Sequence, residues 1–378
     1  MARKNRIVVE DGLYHVTARI ANKAFLLADE KVKNKIVEWM YGIADFAGIE
    51  VSAWNIMDSH LHVLLHVPTV PKRYWTDGET LPCASWRSMR PPECQAPRWT
   101  PDPASAEGDS PSREALARAI ADGVPAATLP HPQTGFTMSD DEMLARLEGL
   151  YRGFSDQAAK TKARWERQRA LGNGLLVEEE KDRLCRRMYS VSQYMHTLKQ
   201  RISEHFNRKL GHEGQLWDGR FHSTLVDRES LAKLFVASYI EWNAPKAGIV
   251  SHPGKWKWCS YAAACAGGPL SRRARDGYAA LVGVSWEEAK DRLDSVFADK
   301  LPDAWEDDMR SRGEGHATLR MSQLVKAVSL SRCAFFSRRR SFVDETLASL
   351  PRRFPCSGGG SVDFLGRFEW VEPPRFAA

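Results

Sequence analysis

The sequence predicts an α+β protein whose main domain follows the order β-α-β-β-α-β. Three observations carry this. Residues 12–67 read as strand, helix, strand, strand; an amphipathic helix and a strand resume the pattern at 188–226; the intervening stretch differs sharply in composition. Closed by the later helix and strand, the order is ferredoxin-like.

The first strand is GLYHVTAR at 12–19, rich in β-formers. Over 28–48, Val32, Ile36, Trp39, Met40, Ile43 and Phe46 recur at intervals of three and four, the mark of an amphipathic helix. Residues 50–57 (EVSAWNIM) form a second strand. A tight polar connection at Asp58-Ser59 leads into a third, HLHVLLHV. From 68 to 185 the regular pattern is lost: Pro71, Pro82, Pro91, Pro92, Pro97, Pro101 and Pro103 break structure, and 104–112 is small and polar. An insertion from a surface loop explains this economically, because lengthening a loop adds little closure entropy. Within it, Met143, Leu144, Leu147, Leu150, Tyr151 and Phe154 predict helix.

The main domain resumes at 186. Val191, Met195, Leu198, Ile202 and Phe206 stripe a helix over 188–210, and 215–226 (QLWDGRFHSTLV) supplies the closing strand. Asp227 caps a further helix on which Leu231, Leu234, Phe235, Ser238, Tyr239 and Trp242 share a face, ended by Pro245 and Gly248. Residues 268–378 look like an appended helical extension. Ser285 opens a helix there with a capping box, 321–330 and 341–350 look helical, Arg338-Arg339-Arg340 reads as a solvated turn, and Gly358-Gly359-Gly360 reads as a linker. The expected division is therefore 1–67 with 186–267, an insertion at 68–185, and the extension.

Composition narrows the class. With 378 residues, 43% hydrophobic and 27% charged, the chain is globular. The net charge of +6 is modest, but 186–275 holds 15 Lys or Arg against 6 Asp or Glu, a concentration suited to a polyanion. Seven scattered cysteines without a CxxC pair indicate neither a disulfide framework nor a zinc ribbon. No apolar run approaches the roughly 20 residues that span a bilayer, and Ile7-Val8-Val9 before Glu10 and Asp11 is too short for a signal-peptide core. A cytoplasmic, nucleoid-associated protein without membrane contact is expected.

The chemistry centres on the third strand. Side chains two apart on a strand share a face, so His60 and His62 project together as a metal clamp. Two imidazoles need a further ligand and a nucleophile from elsewhere. Tyr239 and Asn243 lie four apart on the last helix, which makes them neighbours on one surface. The amide can give a hard oxygen ligand while the phenol reaches a phosphate. His66 shares the histidine face at greater distance, and Tyr189 with Gln193, or Tyr194, is a rival pair. His15 reads as structural.

DSHLHVLLHV resembles the histidine-hydrophobe-histidine motif of the HUH nucleases. Together with GLYHVTAR, LKQRISEHFNRKLG, LWDGRF and YIEWNAPKAGIV, it resembles the REP-associated tyrosine transposases, relatives of the single-tyrosine insertion-sequence transposases. The likeness covers about 10–67 and 188–262, in order. It implies Tyr239 as nucleophile and His60, His62 and Asn243 as ligands of Mg²⁺ or Mn²⁺. Tyr239, Asn243 and Gly248 match the family pattern, whereas the family's proline after the asparagine is Ala244 here and a proline follows at Pro245. A differently shaped helix end is expected. The implied activity is cleavage and rejoining of single-stranded or hairpin DNA through a 5′-phosphotyrosine, by a monomer or a homodimer. Arg201, Arg208, Lys209, Arg220 and Lys246 are candidate phosphate contacts. Trp217 and Phe221 are candidates to stack on bases. The alternative class is a non-catalytic single-strand binder. A β/α-barrel metallohydrolase is a poorer fit, since one strand and a tyrosine helix follow the insertion.

Overall fold

The computed structural model describes residues 8–71, 138–151, 156–211, 214–228 and 232–298, with three short strands at 335–337, 359–362 and 368–371. The architecture is α+β. Strands β1 (Gly12–Arg19), β2 (Glu50–Ile56), β3 (His60–Val67) and β4 (His222–Val226) stand in the order β2-β3-β1-β4, each neighbouring pair antiparallel. Each strand is thus separated from its chain-order partner across a helix by one intervening strand.

Helix α1 (Glu30–Ala47) starts where the Asp29 carboxylate accepts from Lys31 N and stops at Gly48, whose φ of 65° suits a residue without a side chain. Its stripe of Val32, Ile36, Met40, Ile43 and Phe46 is buried as the spacing predicts. A long helix follows the insertion at Val191–Leu210. It begins at 191 rather than 188 because Tyr189 takes φ 48° and Ser190 caps the first turn, accepting from Gln193 N. Both helices cover one sheet face: on it Trp54 donates its indole N–H to Tyr41 OH of α1, and Tyr194 of the long helix donates to Met40 O.

Between β3 and the long helix come α2 (Asp140–Leu150), α3 (Gln157–Ala170) and α4 (Gly174–Cys185), so the long helix is α5. Residues 72–137 and Phe154 lie outside the described residues. Helix α2 buries Met143, Leu144, Leu147 and Leu150. It meets α1 at a glycine pair, where a Cβ on Gly42 would stand 2.5 Å from Gly149 O.

The closing strand is shorter than its sequence suggests. Residues 217–220 form a turn with Gly219 at φ 87°, and regular pairing with β1 runs only from His222. Helix α6 (Ala232–Glu241) crosses the second face of the sheet, where Asn55 of β2 donates to Ile240 O. Leu231 is outside the described residues.

Beyond it come α7 (Asn243–Lys246), a 3-10 turn (Pro253–Lys255), α8 (Ser260–Ala266), α9 (Pro269–Val282) and α10 (Trp286–Phe297). Ser285 caps α10 through Glu288 N, as its capping box predicts. The segment after 268 is less detached than expected. A Cβ on Gly277 of α9 would stand 2.4 Å from Val51 O, and Tyr278 bonds the buried Glu241 and Ser260. The extension is not wholly helical either, for β5 (Phe335–Ser337) pairs parallel with β4, followed by β6 (Gly359–Val362) and β7 (Phe368–Val371). Two glycines of the expected linker begin β6. The arginine run and the helices expected at 321–330 and 341–350 lie outside the described residues. Among the described residues, no helix is long and apolar enough to cross a membrane.

Candidate active site

Pairing places His60 opposite Arg19 of β1, and His62 opposite both Thr17 of β1 and Asn55 of β2. The two imidazoles sit 5.1 Å apart between ring centroids. Each has its Nδ1 engaged: that of His60 is 3.1 Å from Ser59 Oγ, and that of His62 is 3.0 Å from Nε2 of His15. The Nε2 atoms are therefore the ones available to a ligand, with orientation fixed from behind.

All three histidines are held neutral. Burial brings His15 down to about 4. Burial, then the positive charge of Arg19, bring His60 to about 4, with Lys246 adding to the effect and Asp58 opposing it. His62 falls well below the ordinary value through burial, then through its neighbours His15 and His60. A neutral imidazole is the form that binds a cation. The charges of Arg19 and Lys246 that disfavour protonation equally favour an anion.

Helix α6 brings Tyr239 to this pair. Its ring stands edge-on to His62 and to His15, 5.8 Å from each, and Lys246 Nζ lies 5.7 Å from the ring's centre. Tyr239 is 9% exposed, so a narrow part of its surface faces solvent. The helix breaks at Trp242, because Pro245 has no N–H to give Glu241 O and its ring crowds that carbonyl. Asn55, fully buried, compensates: its amide donates to Ile240 O at 2.9 Å and to Glu241 O at 3.4 Å, and its oxygen accepts from Trp256 Nε1. The Glu241 carboxyl, pushed up by burial, ties the same corner to Ser260, Tyr278 and Tyr261 N.

Asn243 opens the short turn after the break. Its amide nitrogen donates to Tyr239 O at 2.9 Å and Ile240 O at 3.2 Å, leaving its side-chain oxygen as the atom to accept or ligate. Among the described residues, no group of three His, Cys, Asp or Glu is placed to hold a metal ion. His60 and His62 are neutral imidazoles and Asn243 carries an amide oxygen, each a donor type that a divalent cation accepts.

The other candidates separate. His66 has Nδ1 2.7 Å from Glu50 and Nε2 2.7 Å from Asp11, so both nitrogens face carboxylates. Tyr189 and Tyr194 are buried beside Arg146 and Met40 respectively, the latter on the sheet face opposite the histidines. Arg201 is half-buried and donates through Nη2 to Leu150 O at 2.6 Å, tying α5 to α2. Arg208 and Lys209 are exposed at the end of α5, where Lys209 pairs with Asp29. Arg220 lines a cleft of about 340 Å³ with His196, Lys199 and Trp217. Trp217 is buried and donates to Ser203 Oγ and Lys199 O, and Phe221 is buried too. Lys246, the fifth cationic candidate, is the one that stands beside the Tyr239 ring.

His15, expected as structural, reaches Nδ1 of His62, and Asn55 reaches the main chain of α6. Alternation along GLYHVTAR does place His15 with Thr17 and Arg19 on the histidine face, a signal that was present. Nothing local marks Asn55.

No protein-family model matches the chain, and no curated protein matches it. Among solved structures the chain is similar to a REP-associated tyrosine transposase bound to a REP hairpin, with 12% sequence identity and a TM-score of 0.33 over 71% of this chain and 90% of that one.

Proposed function

We propose that the chain is a tyrosine endonuclease and strand transferase of structured single-stranded DNA, built on a ferredoxin-like HUH nuclease domain. The observation that carries the reading is the edge-on approach of Tyr239 to His62, 5.8 Å between ring centroids, which joins a nucleophile on α6 to a histidine clamp on β3. The strand order β2-β3-β1-β4 supports the fold assignment.

In this reading His60 and His62, through Nε2, and Asn243, through its side-chain oxygen, hold Mg²⁺ or Mn²⁺. The ion supplies polarisation of the scissile phosphate. Tyr239 attacks phosphorus: the bond from its oxygen to phosphorus forms, the bond from phosphorus to the 3′ oxygen breaks, and that oxygen leaves as a 3′-hydroxyl. The DNA stays attached through a 5′-phosphotyrosine. Because the ester energy is conserved, attack by another 3′-hydroxyl reverses the step and transfers the strand without a nucleotide cofactor. Lys246 and Arg19 supply positive charge where the phosphate sits.

The test is incubation of the full chain with a hairpin oligonucleotide labelled in the segment 3′ of the cut, with Mn²⁺. The expected result is a denaturant-resistant adduct that Tyr239→Phe abolishes while binding persists. An adduct formed by Tyr239→Phe would remove Tyr239 as nucleophile. Binding by the wild type without any adduct would favour a non-catalytic single-strand binder.

A further inference from the structure

We infer that Phe25 is a stacking platform for an unpaired base beside the cleaved phosphate, an inference that rests on the nucleic-acid reading above. Phe25 lies in the loop joining β1 to α1 and is 73% exposed, an unusual position for a large aromatic side chain. The loop is nonetheless firmly held. Ile20 N donates to Ser59 O at 2.8 Å and Leu27 N to Asp58 O at 2.9 Å, so both flanks of Phe25 are fastened to the Asp58-Ser59 turn that delivers His60. From the other side Ala21 N donates to Leu216 O, and Asp218 N to Arg19 O, each at 2.9 Å. Leu27 is fully buried and anchors the loop. Asn22 and Lys23 are held at φ 55° and 56°, a left-handed conformation that non-glycine residues keep when their surroundings impose it.

The surroundings identify the ligand class. Arg19 is exposed and opposite His60 in the strand register, and Lys23 is exposed two residues before Phe25. Leu26 beside it is half-buried, and Ala28 and Asp29 beyond are exposed and small or acidic, so the ring does not belong to a broad apolar face. An exposed aromatic ring on a stretch of chain that also exposes Arg19 and Lys23 suits a base with its phosphates, the pairing that non-specific single-strand binders use. A preordered ring also avoids the entropy of ordering a mobile loop on binding. Phe25 thus recognises an unpaired base of any sequence, on the side of the site defined by the β1–α1 loop.

The test measures binding of the full chain to a fluorescent hairpin carrying an unpaired tail, over a series of salt concentrations. Phe25→Ala is expected to weaken binding by roughly ten- to a hundred-fold, the range of losing one base stack. The slope of log affinity against log salt stays unchanged, because no phosphate contact is lost. Phe25→Trp retains affinity and Phe25→Leu does not, and the thermal midpoint of all three stays near that of the wild type since the ring is exposed. A 2-aminopurine placed in the tail is quenched by the wild type and not by Phe25→Ala. Unchanged affinity in Phe25→Ala, or full affinity in Phe25→Leu, would overturn the inference while leaving the covalent adduct and the functional reading intact. A wild type that binds no hairpin at all would overturn the functional reading, and this inference with it.

Discussion

The rings of His15 and His62 lie side by side in nearly parallel planes, 13° apart, with centroids 5.2 Å apart and His15 Nε2 3.0 Å from His62 Nδ1. His15 thereby fixes which nitrogen of His62 is left for a ligand. Partners of this kind typically alter metal affinity about 10- to 100-fold. His15→Ala is expected to weaken Mn²⁺ binding, measured by calorimetry, by an amount in that range, and His15→Gln by less. Equal affinity in both variants and the wild type would show that His62 needs no orienting partner.

The same pair makes stability depend on pH. His15 titrates near 4 when folded and near 6.5 when unfolded, so the unfolded chain takes up the proton first. The contribution is complete above pH 6.5 and is lost as pH falls towards 4, at up to about 1.4 kcal/mol per pH unit for one such group. His62, lowered for the same reason of burial, acts in the same direction. Urea midpoints measured with a chelator present should fall across this window, and the decline should be shallower in His15→Gln.

Asn55 supports the corner between Tyr239 and Asn243. Truncating it to alanine takes the Asn55 donor from Glu241 O and the acceptor from the Trp256 indole, and leaves Ile240 O with Asn243 Nδ2 alone of these two side-chain donors. Unmade buried hydrogen bonds cost about 1–3 kcal/mol each, so a total loss on the order of 2–4 kcal/mol is expected in urea unfolding. Asn55→Asp removes the donor while keeping an acceptor, and it should be comparably destabilising. Adduct yield with the hairpin should drop in both.

Gly277 marks the closest approach of α9 to β2. Gly277→Ala puts a methyl group where 2.4 Å separates the Cβ position from Val51 O, and main chain on both sides has to yield. Overpacking of this kind costs roughly 1–3 kcal/mol. Alanine's better helix propensity would predict the opposite sign, which chemical unfolding distinguishes.

Much of the core was legible because its signals are local. The stripe of α1 and the stripe of α5 repeat at helical spacing, and the alternation of β3 puts His60 and His62 on one face whatever the rest of the chain does. The four-residue step from Tyr239 to Asn243 was legible as well, and so was the end of their helix before Pro245, which cannot bond the carbonyl of Glu241. Other features resisted. Nothing on its own helix marks the bond that Arg201 makes to Leu150 O of α2. The LWDGRF segment has the β-formers of a strand, yet Gly219 turns it.

The sequence by itself determined the order of elements from β1 to β3, the long helix that precedes β4 and the shared face of the two histidines, because strand alternation and helical period depend only on near neighbours along the chain. Tertiary structure decided which face of the sheet each helix covers. That placement brings Tyr239 to His62, sets His15 behind it, closes the helix break with Asn55 and folds α9 against β2. These contacts join residues far apart in sequence, and they follow from packing complementarity and from the need to pair every buried polar group, neither of which a local pattern records.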